Sequence, residues 1–176
     1  MSVAYQGAPG AFGHAACRRF LPGHEPVARP SFAEVIRAVE ADEADLGMLP
    51  LENNHAGPTG AGPLIAGSTL RIVAEHDLPV RMHLLGLPGT ELRDIRLVRS
   101  HPVAIRQCAA TLGGLGLASE PAENTAVAAL ALADRGCAVL ASEEAAALYG
   151  LAILRRDVHD RPDNATRFAV VAKGAA

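Results

Sequence analysis

Aromatic side chains are scarce in this chain of 176 residues, which holds no tryptophan, two tyrosines and four phenylalanines. Hydrophobic residues nevertheless make up 49% of the sequence, an ordinary share for a globular protein, so the core must rest on Leu, Val, Ile and Ala. At this length the chain can form one domain with a good core, or two small lobes that share one.

Positive charge is almost confined to arginine, since Lys173 is the only lysine, and the formal net charge at pH 7 is -3. No basic cluster occurs, and no aromatic platform alternates with the arginines. Because nucleic-acid binding relies on such features, we expect neither DNA nor RNA as a partner.

Long apolar runs are missing as well. No stretch approaches the ~20 residues that a membrane helix requires. The N-terminus leads into folded-looking sequence without the charged and apolar regions of a signal peptide. We therefore predict a cytoplasmic protein with no membrane contact, and the missing signal argues against a periplasmic solute-binding protein.

The three cysteines, Cys17, Cys108 and Cys137, are odd in number and widely spaced, with no C-x-x-C pair. Such spacing favours reduced, buried cysteines over disulfides or a zinc site. The histidines lack metal-ligand spacing, and no glycine pattern fits a nucleotide fingerprint. We expect no metal and no organic cofactor.

The first half of the chain shows local signals for strands and helices. Ser31 to Glu34 has the capping-box pattern and is followed by apolar residues at helical spacing, which makes this the most secure helix. The other predicted elements are a strand at Val3–Tyr5, a helix from Phe12 to Phe20, a strand at Leu46–Leu49, a weak helix at Gly60–Gly67 and extended chain over Leu70–Leu87.

The second half repeats one theme three times: a strand, then a polar residue that opens a helix. The openings are Ser100-His101, Asn124-Thr125 and Ser142, and Gly150 suits a left-handed C-cap. Alternating strands and helices predict an α/β fold with mainly parallel sheets. Ligands of such sheets bind beyond the carboxyl ends of the strands, where these polar residues lie.

A further candidate site lies near the C-terminus, where Asn164-Ala165-Thr166-Arg167 precedes the apolar run Phe168–Val171. The run predicts a short buried strand, which would hold the Thr-Arg pair on a loop before it. The arginine offers a two-pronged donor for a carboxylate, and the threonine adds a hydroxyl beside it. The pair therefore suits a small anionic ligand.

Together these segments resemble the catalytic domain of prephenate dehydratase over nearly the whole chain, from about Tyr5 to Val171. Six blocks carry the resemblance in order: Gly7 to His14, Pro50-Leu51-Glu52-Asn53-Asn54 with Gly57, Ser100-His101-Pro102 with Gln107-Cys108, Thr125-Ala126 with Ala128-Ala129, Ala146-Ala147 with Gly150-Leu151, and Asn164 to Phe168.

The resemblance implies two α/β lobes of the type II periplasmic-binding-protein kind, each with a mainly parallel sheet, and a ligand cleft between them. Lobe 1 would hold about 1–78 and 162–176, and lobe 2 about 79–161. Relatives often carry a regulatory ACT domain, which we expect to be lacking here because the chain ends soon after Phe168. Relatives are usually dimers or larger, so a homodimer is expected.

The reaction that the resemblance implies is the decarboxylating dehydration of prephenate to phenylpyruvate in phenylalanine biosynthesis. Thr166 would face the departing hydroxyl, Arg167 would hold a carboxylate, and His101 is the reserve acid because its pKa lies near neutrality. The residues expected to contact the substrate are Arg167, Phe168, Asn164, Glu52, Asn53, Asn54, Ser100, Asn124 and Thr125.

Four positions depart from the family pattern. Ala11 replaces a threonine, Gly13 and Asn54 replace serines, and Gly62 stands where an acidic residue is usual. The lost hydroxyls at Ala11 and Gly13 motivate one alternative, a dehydratase for arogenate or for a specialised-metabolism analogue. An alternative of another class is a two-lobed binding or sensing module without catalysis, against which the intact Thr166-Arg167-Phe168 and Glu52-Asn53 count.

Overall fold

The structure is a computed structural model, and it describes residues 1–174. Its strands are β1 Ser2–Gln6, β2 Glu25–Arg29, β3 Leu46–Asn53, β4 Gly57–Pro58, β5 Leu70–Pro79, β6 His83–Gly86, β7 Leu97–Ser100, β8 Ala118–Pro121, β9 Cys137–Ala141, β10 Ala152–Arg155 and β11 Ala165–Lys173. Its α-helices are α1 Phe12–Phe20, α2 Phe32–Glu40, α3 Ala61–Ala66, α4 Pro102–Gln107, α5 Ala109–Gly114, α6 Thr125–Leu130 and α7 Glu143–Tyr149, and a short 3-10 helix covers Leu92–Asp94.

The chain divides into two compact units. The first holds Met1–Ala8, Phe12–Pro79 and the C-terminal segment from Ala165, and the second holds Pro9–Ala11 and Val80–Asn164. These divisions fall within three residues of the boundaries predicted for the two lobes. The prediction did not foresee that Pro9–Ala11 would group with the second unit.

The sheet of the first unit has the order β2-β1-β3-β11-β5, with β4 paired to β3. β1 runs parallel to β2 and β3, whereas β11 is antiparallel to both β3 and β5. Four of these five strands therefore point one way. Helices α2 and α3 pack Val35, Val39 and Ile65 on one face of the sheet. Helix α1 covers the opposite face, against Met48 and Phe168.

The sheet of the second unit has the order β10-β6-β9-β7-β8. β7 runs parallel to β8 and β9, and β6 is antiparallel to β9 and β10. Alanines of α6 and α7 pack on Leu85 and Val139. The small side chains bring these helices close to the sheet, which explains how a core almost without aromatic residues is filled.

The α/β class with a mainly parallel sheet in each unit is confirmed. Helix α2 begins with Ser31, whose hydroxyl accepts the Glu34 amide, while the Glu34 carboxylate pairs with Arg37. The apolar stretch Leu115–Ala118 also predicts a strand, and this prediction was wrong in position, since β8 covers Ala118–Pro121.

Two features of the described chain bear on its class. Among residues 1–174, no helix combines the length and the apolar character needed to cross a bilayer. Cys17, Cys108 and Cys137 are all free and buried, as predicted. Burial raises the pKa of the Cys17 and Cys108 thiols to about 12, so neither is a thiolate at neutral pH.

Candidate active site

The end of β3 and the start of β11 form a ladder of three cross-strand pairs within the first unit. The register sets Glu52 opposite Arg167 and Asn53 opposite Thr166, and the Asn54 amide donates to Ala165 O. Each pair is also joined by at least one side chain. We call these six residues, Glu52–Asn54 and Ala165–Arg167, the β3–β11 ladder.

The middle pair joins two buried polar side chains. Asn53 Nδ2 donates to Thr166 Oγ1 at 3.0 Å and to Ala165 O at 3.0 Å. Asn53 Oδ1 accepts the amides of His55 and Ala56, at 3.0 and 2.9 Å. The turn after β3 therefore fixes which way the Asn53 amide points, and its NH₂ group can only face Thr166. Thr166 is 8% exposed and keeps its own hydroxyl proton available for donation.

The last pair fixes the backbone just before Thr166. Asn54 Oδ1 accepts the Ala165 amide at 2.9 Å, and the Asn54 amide donates to Ala165 O at 3.1 Å. The side chain was expected to contact substrate. In the structure it closes a ring with the backbone of β11 at Ala165.

Thr166 and Arg167 lie within β11, so the predicted loop placement was wrong. Because side chains alternate along a strand, Thr166 shares a face with Phe168, while Arg167 projects from the opposite face. Phe168 is 2% exposed and belongs to the core, which contradicts its prediction as a substrate contact.

On its own face, Arg167 is half exposed and paired with two carboxylates. Its Nη2 lies 3.1 Å from Glu52 Oε2, and its Nε lies 3.6 Å from Glu75 Oε2. Sequence reasoning missed Glu75, which lies on β5, 92 positions before Arg167. Only the strand order β3-β11-β5 brings the three side chains together.

In the second unit, Ser100 does not open a helix. It is the last residue of β7, it is fully buried, and its hydroxyl donates to Leu140 O at 2.8 Å. That bond ties β7 to β9, and the complete burial of Ser100 argues against its prediction as a substrate contact.

His101 is the N-cap of α4, because its Nδ1 accepts the Val103 amide at 3.2 Å. An accepting Nδ1 carries no proton, so the imidazole is neutral with its hydrogen on Nε2. Burial, and then the nearby Arg106, lowers the pKa of His101 below its ordinary value. A neutral His101 is poorly suited to act as the general acid. It can still donate a hydrogen bond through Nε2–H.

The other polar junctions of this unit are also caps. Asn124 Oδ1 accepts the Val127 amide at 2.7 Å and starts α6, of which Thr125 is the first residue. Ser142 caps α7 by accepting the Ala145 amide at 3.1 Å, and its hydroxyl donates to Gly10 O.

Asn164 is buried and belongs to the second unit. Its carbonyl accepts the Val80 amide at 2.8 Å, and its Nδ2 lies 3.2 Å from Gln107 Oε1 at the end of α4. Gln107 was noticed only as part of a motif. Its position directly before Cys108 gave no local signal of this contact.

The departures from the family pattern have different surroundings. A Cβ at Gly13 would lie 3.2 Å from Gln6 O and 3.3 Å from the Tyr5 ring, so a serine would be crowded there. Gly62 faces open space, and Ala11 is 9% exposed. The first unit therefore assembles Glu52, Asn53, Asn54, Thr166 and Arg167, and the second unit holds Ser100, His101, Asn124, Thr125 and Asn164.

Comparison with curated proteins finds relatives along the whole chain. Arogenate dehydratase/prephenate dehydratase 2, chloroplastic, of Arabidopsis thaliana is 40% identical over 175 residues, which cover 97% of this chain and 46% of the relative. The bifunctional N-acyl-homoserine lactone acylase/prephenate dehydratase of Komagataeibacter europaeus is 39% identical, covering 99% and 63%. The chain thus spans about half to two thirds of the length of these relatives.

Solved structures agree. The prephenate dehydratase from Arthrobacter aurescens, determined in complex with L-Phe, has a TM-score of 0.91 at 28% identity, covering all of this chain and 61% of that one. A putative methionine-binding lipoprotein from Bacillus subtilis, at 12% identity, covers 99% of this chain and 83% of that one with a TM-score of 0.51, which shows likeness of fold alone. This likeness confirms the periplasmic-binding-protein-like class.

A family model described as prephenate dehydratase matches residues 3–176. The match includes both strands of the β3–β11 ladder and every helix of the two units. The resemblance deduced from six short blocks is confirmed: this chain belongs to the prephenate dehydratase family.

Proposed function

We propose that the chain converts prephenate to phenylpyruvate, with Thr166 as the catalytic residue. The observation that carries the proposal is the contact from Asn53 Nδ2 to Thr166 Oγ1 at 3.0 Å. Since the oxygen of Thr166 accepts this bond, its own hydrogen is free to be donated to a departing oxygen atom.

The reaction needs little from the protein. The bond from the ring to its carboxylate breaks, carbon dioxide leaves, and the released electron pair enters the ring. The bond from the opposite ring carbon to its hydroxyl breaks in turn, and the hydroxide takes up a proton to leave as water. Aromatisation of the ring drives both cleavages, so catalysis rests on orienting the substrate and stabilising the departing hydroxide.

Thr166 serves the second of these tasks. A threonine is a weak acid, so its contribution is a hydrogen bond to the developing hydroxide rather than complete proton transfer. Asn53 donates into the same oxygen, which offsets negative charge that builds up on Thr166 as its bond to the hydroxide strengthens. Burial keeps water from competing for the hydroxyl.

The second unit offers further donors, and we propose that His101 Nε2–H and the Thr125 hydroxyl hydrogen-bond to substrate carboxylates. A neutral His101 can do this across the neutral pH range. Replacing either residue by alanine is then expected to raise KM and to leave kcat nearly unchanged.

Incubation of the protein with prephenate tests the proposed function directly, because phenylpyruvate is followed by its ultraviolet absorbance in alkali. Acid-catalysed conversion of prephenate is subtracted with a parallel sample lacking protein. Tight binding of prephenate without release of phenylpyruvate would instead establish a binding module.

Arogenate is the second candidate substrate, because relatives such as arogenate dehydratase 1 of Petunia hybrida, 40% identical over 179 residues, carry that name. Arogenate has an ammonium group where prephenate has a keto group, and the departing hydroxyl is the same. Thr166 would therefore act alike on both. Measuring kcat/KM for the two substrates in parallel decides between them.

We further propose that the protein acts in the cytoplasm as a homodimer. Family membership supports the assembly, and the three free cysteines, all buried in the described chain, suit a reducing compartment. Light scattering at several protein concentrations tests the dimer.

A further inference from the structure

We propose that Arg167 is a positioning residue that acts through Thr166, held by Glu52 and Glu75, and that it does not bind the carboxylate of the substrate. The proposal rests on the proposed function, since it assigns a role relative to Thr166. It replaces the expectation that Thr166 and Arg167 both contact the substrate, Thr166 at its hydroxyl and Arg167 at a carboxylate.

The first step is the direction of the side chains. Residues 166–170 of β11 pair without interruption with β5. Against β3 the register shifts between Arg167 and Phe168, but the extra residue, Leu51, belongs to β3, so the side chains of β11 alternate across this stretch. Thr166 lies on the face that packs with Phe168, and Arg167 lies on the face of Glu52 and Glu75. A ligand atom within hydrogen-bond distance of Thr166 Oγ1 is therefore on the other side of the sheet from the guanidinium.

The second step is the local charge. Arg167 pairs with Glu52 and Glu75, and Asp77 is its direct register partner on β5. One guanidinium thus shares its face with three carboxylates. A dianion approaching this face meets an excess of negative charge, and binding there would first have to separate Arg167 from Glu52.

The third step is what the pairing does. Arg167 reaches from β11 to both neighbouring strands. It contacts Glu52, its register partner on β3, and it reaches diagonally to Glu75 on β5, which lies opposite Ala169. Exposed ion pairs of this kind add little to the stability of a fold. A bridge across three strands nevertheless restricts the twist of β11, and it thereby fixes the direction of the Thr166 hydroxyl toward the reacting oxygen.

The test is a kinetic cycle with Arg167→Gln, Glu52→Gln and the double variant, assayed for phenylpyruvate. Arg167→Gln is expected to lower kcat about tenfold, Glu52→Gln about fivefold, and KM should stay within about twofold in both. Because the two residues act as one unit, the double variant should be no slower than Arg167→Gln. Arg167→Lys, which keeps one ion pair, should recover part of the loss.

The contrary outcome is equally distinct. If Arg167 binds a carboxylate, Arg167→Gln and Arg167→Lys raise KM strongly, because a point charge cannot replace a bidentate fork. Glu52→Gln would then lower KM by freeing the guanidinium. Either result overturns the proposal, and so does full additivity in the double variant.

The second unit supplies a matched control. Arg99 Nε and Glu120 Oε2 form a cross-strand pair between β7 and β8 at the same distance of 3.1 Å and with similar exposure. Arg99→Gln removes a like ion pair from a different sheet. It is expected to leave kcat and KM unchanged, and a loss equal to that of Arg167→Gln would show a general charge effect instead.

A second readout needs no substrate. The Ala165 amide donates to Asn54 Oδ1 beside Thr166, and its hydrogen exchange reports on the order of the ladder. Arg167→Gln should speed this exchange at least about threefold, and Arg99→Gln should not. If the wild-type protein does not convert prephenate, the proposed function fails while this measurement still stands. Unchanged exchange in Arg167→Gln would reject the positioning role.

Discussion

The two units share one strand order and use the ends of their strands differently. β2-β1-β3-β11-β5 in the first unit corresponds position by position to β8-β7-β9-β6-β10 in the second, and of the five strands in each order the fourth runs opposite to the other four. In the second unit, His101, Asn124 and Ser142 each cap a helix. In the first, Glu52–Asn54 join β3 to β11.

The difference shows that a polar residue after a strand can have one of two roles. It either caps the next helix or contributes to a functional site. A capping side chain accepts a backbone amide and satisfies a helix terminus that would otherwise remain unpaired. Asn53 instead holds two buried polar groups together, a costly arrangement that a fold does not need at this point. We therefore expect substitutions in the first unit to lower kcat, and those in the second to change KM or local stability with little effect on kcat.

The sharpest test of this contrast is Thr166→Ala, which we expect to lower kcat by about 10² or more with little change in KM, as for loss of a donor to a developing negative charge. Steady-state kinetics with prephenate measures it. Thr166→Ser, which keeps the hydroxyl, should retain most of the activity. Thr125→Ala in the second unit should leave kcat close to wild type, and an equal loss there would break the comparison.

Asn53→Asp separates the hydrogen-bond donor role of an asparagine side chain from its acceptor role. The aspartate keeps an acceptor for His55 and Ala56 but loses the donor to Thr166, so kcat should fall about tenfold, the equivalent of one hydrogen bond of about 1.4 kcal/mol. Asn124→Asp is the matched control, since Asn124 acts there as an acceptor, and it should stay within about twofold. Equal losses from the two changes would contradict the distinction.

Two glycines test whether the cores differ as well. A Cβ at Gly47 would lie 2.8 Å from Val171 Cγ2 and 3.1 Å from Val35 Cγ1, and these buried, β-branched side chains cannot move aside. Gly47→Ala should cost about 1–3 kcal/mol of unfolding free energy. At Gly86 the contact is Leu154, which is only partly buried and can rotate, so Gly86→Ala should cost less. Urea unfolding of both variants gives the ranking.

The smallest expected effect is a pH dependence in the second unit. The pKa of His101 is lowered in the folded protein, chiefly by burial, so its contribution is present above pH 6.5 and is lost as pH falls through the folded value. His101→Asn keeps an acceptor at the cap without a titrating group. Its melting temperature should therefore decline less between pH 6.5 and 5 than that of the wild type, where His14 and His83 have the same sign of shift. If the melting temperatures of the variant and the wild type fall equally, His101 does not contribute to the loss of stability at low pH.

The features predicted well from sequence are those with local causes. Ser31, Asn124, Ser142 and Gly150 sit at helix ends as predicted, because each signal lies within a few residues of the structure that it sets. β2 was missed because its five residues, with Pro26 among them, are partly exposed and lack clear alternation.

The sequence indicated which residues belong to the site, but it could not predict their contacts or the directions of their side chains. Asn53 and Thr166 are separated by 113 positions, and nothing local tells which of many polar residues each one meets. The start of β11 was placed three residues late, at Phe168 rather than Ala165. This error led to the wrong relative direction of the two side chains. In a loop Thr166 and Arg167 could face the same ligand, whereas in a strand they project from opposite faces.

The place of β11 in the first sheet has a consequence for synthesis of the protein. β3 and β5 are synthesised before most of the second unit, yet β11, which lies between them, is synthesised after it. During translation the second unit can complete its sheet while the first still has an unfilled central position, open to wrong strand pairing. Thr166 lies on β11, the strand that fills this position. The proposed catalytic residue is therefore in place only after the first unit has completed its sheet.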